Sequence, residues 1–103
     1  MPNFSISEFA QDQIDAIALN IFSNNPGAVD PFLIEFKAAF ALRAGMPRMG
    51  PVRPELDGAP RALLYETYVA LYDIYTDPDD GGEGIEIVAV FDQREDIEGK
   101  FSR

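Results

Sequence analysis

The chain has 103 residues, 47% hydrophobic and 25% charged, with 18 acidic against 8 basic side chains and a net charge of −10. That length suits one domain and is too short for two, and the charge argues against unassisted grip on a phosphate backbone, which needs clustered lysine and arginine. The absence of cysteine and histidine removes disulfides, thiolate chemistry, and the commonest general base and metal ligand.

Met1 to Glu8 carry neither the basic region nor the apolar run of a signal peptide, and no apolar stretch reaches membrane-spanning length. A cytoplasmic protein folding as one domain over residues 1–103 is therefore expected. Phe4 to Ser7 alternate apolar and polar, as a short half-buried strand does. Ser7 is placed to cap a helix over Glu8 to Phe22, in which Phe9, Ala10, Ile14, Ile17, Ala18 and Ile21 form one apolar stripe. Asn24 to Gly27 end it. Asp30 and Pro31 suit the cap and first position of a second helix. Its stripe is Phe32, Phe36, Ala39 and Phe40, broadened by Leu33 and Leu42, with Arg43 at the end where a cation suits the helix dipole. Gly45 to Pro54 read as an irregular connector.

The period then changes. Ala62 to Tyr65, Tyr68 to Tyr75 and Ile85 to Phe91 are expected strands, the last two joined by an acidic turn from Asp77 to Gly84. From Asp73 to Glu98 there are ten carboxylates and one basic residue, Arg94. The turn lacks the full carboxylate spacing of a calcium loop, and no metal or other cofactor is expected. The order is β-α-α-β-β-β, an α+β fold. An N-terminal strand and an antiparallel helix hairpin precede a three-stranded antiparallel sheet, and the helices pack on one sheet face. Strict alternation puts Tyr68, Ala70, Tyr72 and Ile74 on one face and Val69, Leu71 and Tyr75 on the other. It likewise puts Ile85, Ile87, Ala89 and Phe91 together. Both faces are largely apolar and the helices cover one, so the second is covered either by the connector or by a partner.

Several motifs in this order resemble the ParE branch of the RelE/ParE toxin superfamily over Phe4 to Ile97. Glu8 to Ile17 is similar to the family's first helix. Asn24 to Ala28 resembles its Asn-Pro turn, and Pro47 to Gly50 its Pro-x-x-Gly element. Pro54 to Leu56 followed by Arg61, then Tyr68 to Tyr72, match the strand region. Ile87 to Ile97 match the closing strand. The resemblance implies a toxin of a type II toxin–antitoxin module that binds a protein, DNA gyrase, and is neutralised by a cognate antitoxin in a hetero-oligomer. The contact candidates are Arg61, Tyr68, Tyr72 and Arg94.

The departures bear on chemistry. The family's closing His-x-Arg-Arg-Asp is here Asp92-Gln93-Arg94-Glu95-Asp96, and Val69 and Ala89 stand at further strand positions of the family's site, the first of them often arginine. RNA cleavage needs a cation on the developing phosphoryl charge and a base for the 2′-hydroxyl. Ribonuclease activity is therefore disfavoured, no catalytic residue is named, and direct nucleic-acid binding is not expected. An mRNA-cleaving toxin of the RelE kind and a non-toxic, toxin-derived binding domain are the alternatives.

Overall fold

The computed structural model describes residues 3–103. Strand β1 (Phe4–Ile6) leads into helix α1 (Glu8–Asn24), and a 3₁₀ turn (Pro26–Ala28) runs into helix α2 (Val29–Ala44). After a second 3₁₀ turn (Pro47–Met49) come β2 (Arg61–Tyr65), β3 (Tyr68–Thr76), β4 (Glu83–Asp92) and the one-turn helix α3 (Ile97–Lys100). The α+β class and the element order are as the sequence predicts. The sheet has four strands in the order β1-β4-β3-β2, because β1 pairs in parallel with β4 while β2, β3 and β4 are antiparallel. The acidic turn is shorter than expected, since β4 begins at Glu83.

Local chemistry explains the helix starts. Ser7 caps α1 as predicted, its Oγ accepting from the Ala10 amide at 3.1 Å. Asp30 does not cap α2. The Pro26–Ala28 turn feeds straight into the helix, Ala28 occupies the cap position, and Asp30 lies inside the first turn. A carboxylate there still suits the dipole, and Pro31 removes only an amide that has no partner within the helix.

The main core lies between the helices and the sheet. Ala10 and Ile14 of α1 and Phe32, Phe36, Phe40 and Ala44 of α2 pack on Leu63, Ala70, Tyr72, Ile85, Ile87 and Val90. The aromatic rings form a chain, with Phe36 4.6 Å from Phe40 and stacked on Tyr65 at 5.2 Å. Phe9 and Leu42, read from the pattern as core, are exposed. The fourfold aromatic spacing of α2 fills the interface without Leu42.

Strict alternation in β4 fails at one point. Leu71 pairs with Ala89 but Tyr72 pairs with Ile87, so Val88 is an extra residue in a β-bulge. Ile85, Ile87 and Val90 therefore face the helices, and Ala89 and Phe91 turn to the outer face. That face is covered by the chain itself, in a second cluster where Leu56, Ile97 and Phe101 pack on Val69, Leu71, Ala89 and Phe91. Among the described residues, no helix is long and apolar enough to cross a membrane.

Candidate protein-binding surface

The four residues singled out in the sequence fall into two pairs at opposite places. Arg61 and Tyr72 are register partners across β2 and β3, and both bind Gly50. Tyr72 is fully buried. Its hydroxyl donates to the Pro47 carbonyl at 2.6 Å and accepts from the Gly50 amide at 3.2 Å and from Arg43 Nη1 at 3.3 Å. Arg61 Nη1 donates to the carbonyls of Gly50 at 2.8 Å and Arg48 at 3.2 Å. These groups tie the irregular connector to the sheet. A buried phenol needs such partners, because an unsatisfied hydroxyl in an apolar core is costly.

Tyr68 and Arg94 lie together at the other end of β3. Arg94 grips Asp92, with Nε 2.9 Å from Oδ1 and Nη2 2.7 Å from Oδ2. This pairing, and to a smaller degree its own charge attraction and that of the Tyr68 hydroxyl, raises the guanidinium pKa. The same hydrogen bonds hold the Asp92 carboxyl down at about 2. Tyr68 packs edge-on against Phe32, ring centroids 5.5 Å apart.

Tyr68 also joins two concavities along α1. One, of about 450 Å³, is floored by Phe9, Ile17 and Val90 and edged by Gln13, Asp92, Glu95 and Lys100. The other, of about 680 Å³, is floored by Ile21, Pro31 and Phe32 and edged by Glu35 and Glu66. Past the end of β1, the free edge of β4 is satisfied by α1 and the following turn. Gln13 Oε1 accepts from the Val90 amide at 2.6 Å, and Glu95 Oε2 from the Asp92 amide at 3.0 Å. Glu35 accepts from the Tyr65 hydroxyl at 2.9 Å, and that bond pushes the phenol up to about 12. The groove is thus apolar below, and at its rim four carboxylates, Asp92, Glu95, Glu35 and Glu66, outnumber the one cation, Lys100.

The cations are mostly committed to partners within the chain. Arg48 is bidentate to Glu83, Arg53 pairs with Glu55, Lys100 with Glu95, and Arg103 with Asp73. With Arg43, Arg61 and Arg94, seven of the eight basic side chains are bonded within the chain. Lys37 makes no hydrogen bond among the described residues. In the acidic turn, Asp77 and Asp80 accept from the amides of Asp79 and Gly82. Among the described residues no group of three or more metal-ligating side chains converges. The arrangement offers an acidic, apolar groove and little positive field.

Sequence reasoning did not identify Gln13, Glu35 and Glu66 as rim residues. Nor did it find a second apolar patch, where Leu42, Met46, Met49 and Leu64 stand exposed between the end of α2 and the edge strand β2. Leu64 falls at an apolar position of a strand, and only the strand order reveals that its strand is an edge. Phe9, counted with the α1 stripe in the sequence, instead stands exposed and floors the groove.

The family model described as "ParE toxin of type II toxin-antitoxin system, parDE" matches residues 4–97. No curated protein matches the chain.

Proposed function

The chain belongs to the ParE toxin family of type II toxin–antitoxin systems, and from that premise we propose that it acts by binding a cytoplasmic protein rather than by cleaving RNA. The observation that carries this reading is the commitment of seven of the eight cations to partners inside the chain. A bound phosphate would compete with those partners for the cations, in a molecule whose net charge of −10 already repels it. There is also no histidine to move a proton.

By resemblance the protein target is DNA gyrase and the neutralising partner is a cognate antitoxin, bound in a hetero-oligomer. We assign the groove along α1 to the antitoxin. Its apolar floor and acidic rim suit a basic amphipathic helix, with charge speeding the encounter more than deepening the affinity. Tyr68 lines that groove, and Arg94 stands exposed on Asp92 of its rim, within reach of a partner. Arg61 and Tyr72 act from inside, by holding the connector in place. The whole works as one domain.

Purified protein added to a gyrase supercoiling reaction tests the target. Inhibition that disappears when the protein is first mixed with the product of the neighbouring reading frame is expected. Supercoiling unaffected by a large excess of the protein would rule gyrase out.

A second reading has one observation in its favour. Acids and small apolar residues occupy basic positions of the superfamily: Asp92, Glu95, Val69 and Ala89. On that reading the chain keeps the antitoxin interface without toxicity. Induced expression would then leave growth unchanged while the partner still co-purifies.

A further inference from the structure

The second apolar patch lies away from the α1 groove. Leu42 and Met46 at the end of α2, Met49 in the following 3₁₀ turn and Leu64 on the edge strand β2 are exposed, from 47% to 69%. With Ala39, Arg43 and Leu63 they line a concavity of about 260 Å³. That is smaller than a small-molecule site, typically about 300–1,000 Å³, and suits an apolar side chain of a partner. Its base is fixed. The Tyr72 hydroxyl and Arg61 hold the Pro47–Gly50 stretch through its backbone groups. Beside that fixed backbone the two methionine side chains adapt to what they meet.

The charge here is the reverse of the whole chain's. From Phe36 to Pro54 there are four cations (Lys37, Arg43, Arg48, Arg53) and no carboxylate. Among the described residues, Arg43 is the only charged side chain lining the concavity. It donates to the Ala62 carbonyl and the Tyr72 hydroxyl, and Arg61 donates to two carbonyls. Both guanidinium groups are thus bonded to neutral acceptors, which leave their charge unbalanced. Arg48, between the two methionines, is paired with Glu83, but both side chains of that pair stand open to solvent. Such a pair holds weakly and yields to a better-placed carboxylate. The −10 of the molecule is screened beyond about 8 Å at physiological salt, so the nearby cations decide what the patch attracts.

The occupants sort by these features. A second copy is disfavoured, because a twofold contact sets Arg43 and Arg48 against their own counterparts. Nucleic acid is disfavoured by the apolar floor. A long added strand is blocked, since Ala62 already bonds outward, its amide to Pro51 and its carbonyl from Arg43. A partner holds on by its side chains.

We propose that the patch of Leu42, Met46, Met49 and Leu64 is a docking surface for an acidic segment of a partner protein, which seats an apolar side chain between α2 and β2 and sets carboxylates beside Arg43 and Arg48. The proposal rests on the reading that the chain acts by binding protein. A basic antitoxin fits the acid-rimmed groove along α1, so the acidic partner is the target.

Two measurements on the full chain test this. The first follows the isotope-labelled protein by NMR as it is titrated with a synthetic helical peptide that carries leucine at every third or fourth position and glutamate between. The amides of Leu42, Met46, Met49 and Leu64 are expected to shift, and those along the α1 groove to stay in place. Leu64→Asp and Arg48→Glu change exposed side chains. Each is expected to weaken binding at least about tenfold while the urea midpoint holds. No shift at the patch, or equal affinity for the variants and the unmodified protein, would overturn the proposal. So would self-association of the chain that Leu64→Asp abolishes, because a second copy would then be the occupant. The second measurement expresses the same variants in cells. Both are expected to relieve the growth arrest caused by the unmodified protein, while the product of the neighbouring reading frame still co-purifies with them. Undiminished arrest in both would overturn the assignment of the patch to the target. If the unmodified protein itself leaves growth unchanged, the toxin reading fails and the peptide titration alone decides the patch.

Discussion

Arg94 closes on Asp92 through two hydrogen bonds, 2.9 and 2.7 Å long, at the end of β4. This is where the superfamily's closing strand carries basic residues, and here the single remaining cation is held by a carboxylate two positions away. The pair can be tested by titration. Asp92 titrates at about 2, below the usual aspartate value of about 3.9. Its contribution to stability is present above the unfolded value and is lost as pH falls through about 2. Carboxyl-carbon NMR should place the Asp92 midpoint near that pH, and Arg94→Gln should return it toward the ordinary range.

Tyr65 gives the opposite sign. Its phenol is pushed up to about 12, chiefly by the bond to Glu35. A folded pKa above the unfolded one stabilises the protein below the unfolded value, about 10, and that contribution disappears as pH rises through about 12. Ultraviolet titration of the tyrosines should show a phenol titrating near 12. Glu35→Gln should move it back toward the ordinary value.

The connector depends on the Tyr72 hydroxyl and on the lack of a side chain at Gly50. Tyr72→Phe leaves the Gly50 amide and the Pro47 carbonyl without that partner, at a cost of about 1–3 kcal/mol. Gly50→Ala would place a methyl 2.5 Å from the Ala62 carbonyl oxygen and equally close to the Tyr72 hydroxyl, forcing a comparable loss of about 1–3 kcal/mol. Urea denaturation should show a lower midpoint with an unchanged slope in both.

Gln13 links α1 to β4 where β1 has ended. Gln13→Met keeps the length but leaves the buried Val90 amide unpaired, at about 1–3 kcal/mol. The Val90 amide should then lose its protection from hydrogen exchange, while amides in the β2–β3 pairing keep theirs.

Much of this architecture was legible in the sequence. Ser7 before Glu8, the Phe32–Phe36–Phe40 spacing and the Tyr68–Tyr75 run each carry a local signal that the fold uses directly. The bulge at Val88 had no such signal. No glycine or proline marks it, and it exists only as a mismatch between two strands. That one extra residue moves Ala89 and Phe91 to the outer face, which alternation alone placed with Ile85 and Ile87. The cover of that face was legible only in part, since the connector, one of its two expected covers, supplies Leu56 alone. Ile97 and Phe101 are two apolar residues in an acidic stretch, too few to read as a helix, yet enough to cover the sheet. Of the site candidates, Tyr72 and Arg61 were chosen by motif, while their bonds to Gly50 depend on a connector with no periodic pattern.

The reading of this chain as a toxin that binds protein rather than cutting RNA is tested most directly by the transcripts of cells in which it is expressed. Growth arrest accompanied by full-length mRNA, read by mapping transcript ends, is the predicted result. Transcripts cut in the arrested cells, with the cuts absent when Arg94 is replaced, would contradict it.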